Sequence, residues 1–280
     1  MARNLRIGVV QMRSGIEPAA NRAAATPLLR EAAAAGARLI ATPECTTRLD
    51  RKRDRFLETL RAEQEEPEIG AWGKLAAELG VWIALGSASV ASGDGRACNR
   101  SLLYKPDGKI AARYDKIHLF DVQLGGSETY RESATFAPGA EAVIAEGPMG
   151  AKLGLTICYD IRFPELYRAL GSAGAEIIFV PAAFTKPTGQ AHWEILLRAR
   201  AIETGAFIVA AAQGGVHEDG RTTWGHSTIV GPWGEIIAKL DHDEPGVLIA
   251  DLDLDEVQSA RAKIPAWTGP AKFAAPRAMP

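Results

Sequence analysis

Apolar and polar positions along the chain follow two distinct periods. Short apolar runs at Arg6–Val10, Leu39–Ala41, Leu153–Ile157 and the stretch from Gly174 to Pro181 have the length and β-branched content of buried strands. Prolines at 43 and 181 stop two of them. Between these runs, Ala-, Leu- and charge-rich stretches carry helical spacing, at Asn21–Ala35, Ile69–Leu79, Arg162–Ser172, Ala191–Thr204 and Asp253–Lys263. The order is strand, helix, strand, helix, strand, then a hairpin.

That order occurs twice. Arg6–Val10 matches Lys152–Thr156, and Gly36–Pro43 matches Gly174–Pro181. A hairpin turning at Pro106-Asp107-Gly108 matches one turning at Pro232-Trp233-Gly234, at an offset of 126 (Ser101 to Ser227, Gly108 to Gly234). Two mixed sheets packed together with helices outside follow, an α/β fold in the form of a four-layer α-β-β-α sandwich built from two pseudo-repeated halves. Residues 1–265 are expected to form one domain and residues 266–280 a C-terminal tail. The offset falls from 138 at Gly36 to 126 at the hairpin, so the first half holds 12 extra residues, expected within Cys45–Pro67. This charged segment reads as a solvated loop or helix face, with a lid over a site as the alternative. Parallel β-α-β units gather functional side chains at the C-terminal edge of their strands.

Composition narrows the class. The 280 residues are 47% hydrophobic and 24% charged, which excludes a disordered or fibrous chain. A formal net charge of -2 supplies no basic field for nucleic acid. No apolar run reaches the roughly 18 to 20 residues that span a bilayer, and the N-terminus leads into a strand without a signal-peptide core, so a cytoplasmic location is expected. Three cysteines, Cys45, Cys98 and Cys158, are an odd number without a C-x-x-C pair, which supports neither a disulfide framework nor a zinc site.

Cys158 ends an apolar strand and precedes a turn into a helix, where unpaired N–H groups can stabilise a thiolate or an oxyanion; packing is the plainer role for a single cysteine. Glu44 follows Pro43 at the same expected edge, placed to act as a base, or else as a surface turn carboxylate. Lys116 lies among apolar residues, so its ammonium needs carboxylate partners. Cys/His catalysis through His118, His192 or His226 is a competing arrangement, although no spacing singles one out. Cys45 and Cys98 read as bystanders.

Taken together, Thr42-Pro43-Glu44, the segment Tyr114–Phe120 and the segment Cys158–Glu165 resemble the three signature blocks of the nitrilase superfamily, the carbon-nitrogen hydrolases. Thr188–Trp193, Arg198–Glu203 and Trp224–Thr228 extend the likeness from about Arg6 to Pro265, and the branch resembled is that of deaminated glutathione amidase and omega-amidase. The resemblance implies the same four-layer sandwich, a homodimer, no metal and no organic cofactor. It also implies that Cys158 is the nucleophile, Glu44 the proton-transferring base and Lys116, with the Tyr159 N–H, the oxyanion-stabilising group. Glu132, sixteen residues after Lys116, would orient that lysine and the substrate amide.

Arg162 and Thr188 match positions that hold a substrate carboxylate, Arg162 having a helix-terminal ion pair with Asp160 or Glu165 as its structural alternative. The expected reaction is thus hydrolysis of a terminal carboxamide of a small carboxylate-bearing molecule, such as deaminated glutathione or an omega-amide of a 2-oxo dicarboxylic acid, releasing ammonia through a Cys thioester. A homodimer or higher homo-oligomer is expected, with no nucleic acid or membrane involved. Nitriles and N-carbamoyl amino acids are the rival substrates, and a catalytically idle interaction module is the rival class. Two departures stand out: Thr42 replaces an apolar residue before Pro43-Glu44, and Ala266–Phe273 replaces a basic, tyrosine-containing tail.

Overall fold

Alternation along the strands divides the side chains between two cores. In the Asn4–Gln11 strand, Leu5, Ile7 and Val9 point into one apolar cluster and Val10 into another, as the two-residue period of a strand requires. The first cluster lies between two six-stranded sheets and continues between the second sheet and its helices; the second lies between the first sheet and its helices. The computed structural model describes residues 3–123, 129–269 and 274.

In the first sheet the order is Gly246–Asp253, Asn4–Gln11, Leu39–Ala41, Trp82–Ala91, Ala97–Tyr104, Ile110–Asp115. The second runs Val143–Glu146, Lys152–Leu155, Ile177–Phe179, Phe207–Ala210, Thr228–Val230, Ile236–Lys239. Each has an antiparallel edge strand, three parallel strands and an antiparallel hairpin, so the sheets correspond strand for strand. This is the α-β-β-α sandwich of two repeated halves. The edge strand of the first sheet, Gly246–Asp253, comes from the far end of the chain and closes the fold.

The helices Pro18–Ala34 and Pro67–Leu79 cover the first sheet through Ala25, Leu29, Ala32, Ile69, Trp72 and Leu75. Pro164–Ser172 and Lys186–Thr204 cover the second through Leu166, Tyr167, Leu170, Trp193, Leu197 and Ala201. All four have proline in the first turn, where its missing N–H costs nothing. The extra residues of the first half fold as a short helix, Arg53–Glu58, and a turn, Glu63–Glu65. Phe56 anchors the helix by burial against Phe136, and Asp50 pairs with Arg55 at 2.7 Å.

Of the expected tail, residues 270–273 and 275–280 lie outside the described residues. The carbonyls of Ala266 and Trp267 accept bonds from Arg168 and Ser172, and Arg261 lies over the Trp267 ring. No helix among the described residues is long and apolar enough to cross a membrane.

Candidate active site

At the C-terminal edge of the Lys152–Leu155 strand the chain turns sharply through Cys158–Arg162. Cys158 adopts φ 49°, a left-handed conformation that a non-glycine residue holds only when its surroundings enforce it. Two anchors do so. The Cys158 N–H donates to the Pro181 carbonyl at 2.8 Å, tying the turn to the next strand. Asp160, fully buried, accepts the Ile157 N–H at 2.9 Å, the His118 N–H at 3.0 Å and the Tyr114 hydroxyl at 2.6 Å. The His118 ring completes the set, with Nδ1 at 2.7 Å from Asp160 and its face stacked on Phe163.

Glu44 reaches the same edge because Gly86 lets the Thr42–Pro43 backbone lie directly on the neighbouring strand. A Cβ at position 86 would meet the Thr42 and Pro43 carbonyl oxygens at 2.1 and 2.4 Å. Thr42 has a task in this turn: its hydroxyl accepts the Gly86 N–H at 3.1 Å and the Thr46 hydroxyl at 2.8 Å. The Glu44 carboxylate accepts bonds from Lys116 at 2.8 Å, the Asn99 amide at 3.0 Å and the Ala183 N–H at 3.0 Å. Its backbone carbonyl accepts from the Gln213 amide at 2.9 Å.

Lys116 pairs with two carboxylates, its Nζ 2.8 Å from Glu44 and 2.9 Å from Glu132. Glu132 is itself held by the Phe120 N–H at 2.6 Å. Burial of Lys116 to 2% exposure pulls its pKa down, and the charges of Glu132 and Glu44 outweigh that pull, so it sits well above the ordinary lysine value. Lys116 is a fixed ammonium. Cys158 has the opposite balance: burial, then the Glu44 charge, push its thiol well above the ordinary value despite the nearby Lys116. The resting sulfur is a neutral thiol.

These groups line a cavity of about 320 Å³, a volume suited to a small organic ligand. Arg162 and Thr188 line it too, as does Tyr159, whose N–H meets no acceptor among the described residues. The Arg162 guanidinium lies 5.4 Å from the Phe184 ring and 3.3 Å from His192 Nδ1, and forms no ion pair with Asp160 or Glu165. Asp160 is occupied by the turn it braces. The Thr188 hydroxyl is bonded to that of Thr185 at 2.8 Å, at the start of its helix. His226 stacks on Trp224, and none of His118, His192 and His226 bonds to Cys158 among the described residues.

Sequence reasoning overlooked Asn99, Gln213 and the Ala183 N–H, and gave Asp160 only as an alternative partner of Arg162 rather than as the brace of the turn. A signal existed for Gln213, a single polar side chain just beyond the apolar strand Phe207–Ala210. Asn99 sits on the Ala97–Tyr104 strand, and its amide faces Glu44.

Comparison with known proteins supports the same chemistry. The profile of the carbon-nitrogen hydrolase family matches residues 6–262. The chain is 47% identical to a deaminated glutathione amidase of Yersinia enterocolitica over 195 residues, 69% of this chain and 68% of that one. It is 39% identical to that of Bos taurus over 269 residues, 93% of this chain and 80% of that one. Among solved structures it is similar to the C. elegans NitFhit protein, with a TM-score of 0.87 and 34% identity over 96% of this chain; that match spans 65% of NitFhit, less than two thirds. It is also similar to an amidase from Nesterenkonia sp. AN1, solved with the acetamide moiety of fluoroacetamide added covalently at its active site cysteine. There the TM-score is 0.77 and identity 29%, over 93% of this chain and 95% of that one.

Proposed function

The chain belongs to the carbon-nitrogen hydrolase family and is an amidase, and we propose that it cuts a small amide bearing a carboxylate, with Cys158 as nucleophile. The observation that carries this reading is the group of buried Glu44 and Lys116 with half-buried Glu132 in the cavity that Cys158 lines.

Glu44 takes the thiol proton as sulfur bonds to the amide carbon, and the carbonyl electrons move onto oxygen. The Lys116 ammonium and the unengaged Tyr159 N–H stabilise that oxyanion. As it collapses, the carbon–nitrogen bond breaks, Glu44 passes its proton to the leaving nitrogen, and a thioester stays on Cys158. Glu44 then removes a proton from water, which attacks the thioester; expulsion of sulfur frees the acid and restores the thiol. Glu132 holds Lys116 together with Glu44, and Asn99, two strands away from the one that leads to Glu44, fixes the Glu44 carboxylate.

The proposed substrates are those of the matched relatives' class. With deaminated glutathione the leaving group is the amine of cysteinylglycine; with an omega-amide of a 2-oxo dicarboxylic acid it is ammonia. Arg162, unpaired with any carboxylate among the described residues, is the cation that receives the acyl-side carboxylate, and Thr188 flanks it. A homodimer and a cytoplasmic location belong to the same reading. Exposed Ile195, Ile202, Trp233 and Ile264 support the first, and three free cysteines the second.

The test is amine or ammonia release from these two amides beside a matched nitrile and an N-carbamoyl amino acid. The amides should turn over fastest. Preference for the nitrile or the carbamoyl compound, or no turnover of any of the four, overturns the assignment.

A further inference from the structure

Arg221 lines the same cavity but comes from a different element, the turn between the strands Gly214–Val216 and Thr222–Trp224. Its Nε is buried without a hydrogen-bond partner. The acid nearest it is Asp219, whose Oδ2 lies 3.5 Å from the guanidinium and is likewise buried without a bond. Glu218, the other acid of the turn, is engaged with the Ile16 N–H at 3.0 Å. A guanidinium N–H left unmet inside a cavity wall is costly unless a ligand satisfies it. Arg162 comes from the Cys158–Arg162 turn and lies against other side chains, Tyr159, Phe184 and His192. The Arg221 charge acts instead on the thiol of Cys45, more strongly than that of Lys116 does. Cys45 is the residue next to Glu44, which hands its proton to the leaving nitrogen.

We propose that Arg221 is a specificity-determining residue of this site, one that receives a carboxylate carried on the amine portion of an N-substituted amide while Arg162 receives the carboxylate of the acyl portion. The proposal rests on the amidase reading above and narrows it to a substrate class: amides with an anionic group on both sides of the scissile bond. Guanidinium geometry suits this task, because Nε and a terminal nitrogen can meet both oxygens of one carboxylate.

The test compares two substrates with one acyl group, deaminated glutathione and its analogue in which the terminal glycine carboxylate is amidated. In the wild type, kcat/KM should favour the acid by about 10- to 100-fold, the range of a charge-assisted hydrogen bond. Arg221→Gln should collapse that ratio towards one, mainly through KM, and Arg221→Lys should keep part of it. Product inhibition of the wild type gives a second readout that needs no variant: free cysteinylglycine should inhibit more strongly than its terminal amide. Equal losses on both substrates in Arg221→Gln, or a wild-type ratio near one, overturn the Arg221 assignment while leaving the amidase intact. A wild type that cleaves neither amide overturns the amidase reading instead.

Discussion

At the scale of single residues, the site depends on one proton. Burial and the Glu44 charge hold the Cys158 thiol above its ordinary value of 9.0, so at neutral pH it is protonated, and in the proposed mechanism attack requires Glu44 to accept the proton. A raised thiol pKa means thiolate appears only as pH climbs past that value. Alkylation of Cys158 by iodoacetamide should therefore rise steadily with pH and show no plateau below 9. Glu44→Gln removes a neighbouring negative charge, which makes the thiolate easier to form, so the alkylation profile should move to lower pH. Turnover by the same variant should fall, on the order of 100- to 10,000-fold for loss of a general base. A profile that stays in place, or turnover near the wild-type rate, would remove Glu44 from both roles. Glu44, Lys116 and Cys158 stand out in the sequence because each lies at the end of an apolar run or within one. Asn99 and Gln213 do not, since the Glu44 atoms they hold are 55 and 169 residues away and only the fold brings them together.

At the scale of elements, geometry comes from close approaches. Gly86 carries the clearest one: its missing side chain lets Thr42 and Pro43 cross the strand and deliver Glu44. In Gly86→Ala the added methyl meets backbone rather than a flexible side-chain tip, so the turn must shift. The expected result is a loss of about 1–3 kcal/mol in unfolding free energy together with a fall in kcat that exceeds any change in thermal midpoint. Thermal unfolding and initial rates on one preparation decide this; wild-type rates with a normal midpoint would refute it. The same scale shows what periodicity could reveal. Four strand runs, both hairpins and the five helical stretches are visible in the apolar pattern, with ends shifted by a few residues. The Lys186–Thr204 helix begins five residues before Ala191 because proline at its start fits a helical first turn, which apolar spacing alone does not register. The charged stretch after Cys45 reads as solvated surface, with a lid over a site as the alternative; Asp50, Arg51 and Arg53 border the cavity, and Phe56 of the same segment is buried.

At the scale of the whole molecule, the repeat explains where the cavity lies. Each half ends its second parallel strand with a proline turn, at Pro43 and Pro181, and the two turns meet over Gly86. One turn bears Glu44; the other offers the Ala183 N–H to it. The edge strand Gly246–Asp253 was hidden from the repeat because it returns from the end of the chain. On the outer face, Ile195 and Ile202 lie seven residues apart on one helix, and Ile202 packs against Gly234, beside Trp233 and the Lys263 that covers it. In the proposed homodimer this apolar surface is the one that meets the partner. The wild type should sediment as a dimer of the 29.9 kDa chain and Ile202→Glu as a monomer; a monomeric wild type would refute the interface.

The central claim, that amide cleavage passes through a thioester on Cys158, is tested most directly by acid-quenching the wild type during turnover of deaminated glutathione and locating any added mass by peptide mass spectrometry. The account predicts the acyl portion, in place of one hydrogen, on the peptide that carries Cys158, and neither adduct nor turnover in Cys158→Ala. Turnover that persists in Cys158→Ala, or an acyl mass on Cys45 or Cys98 instead, would contradict it.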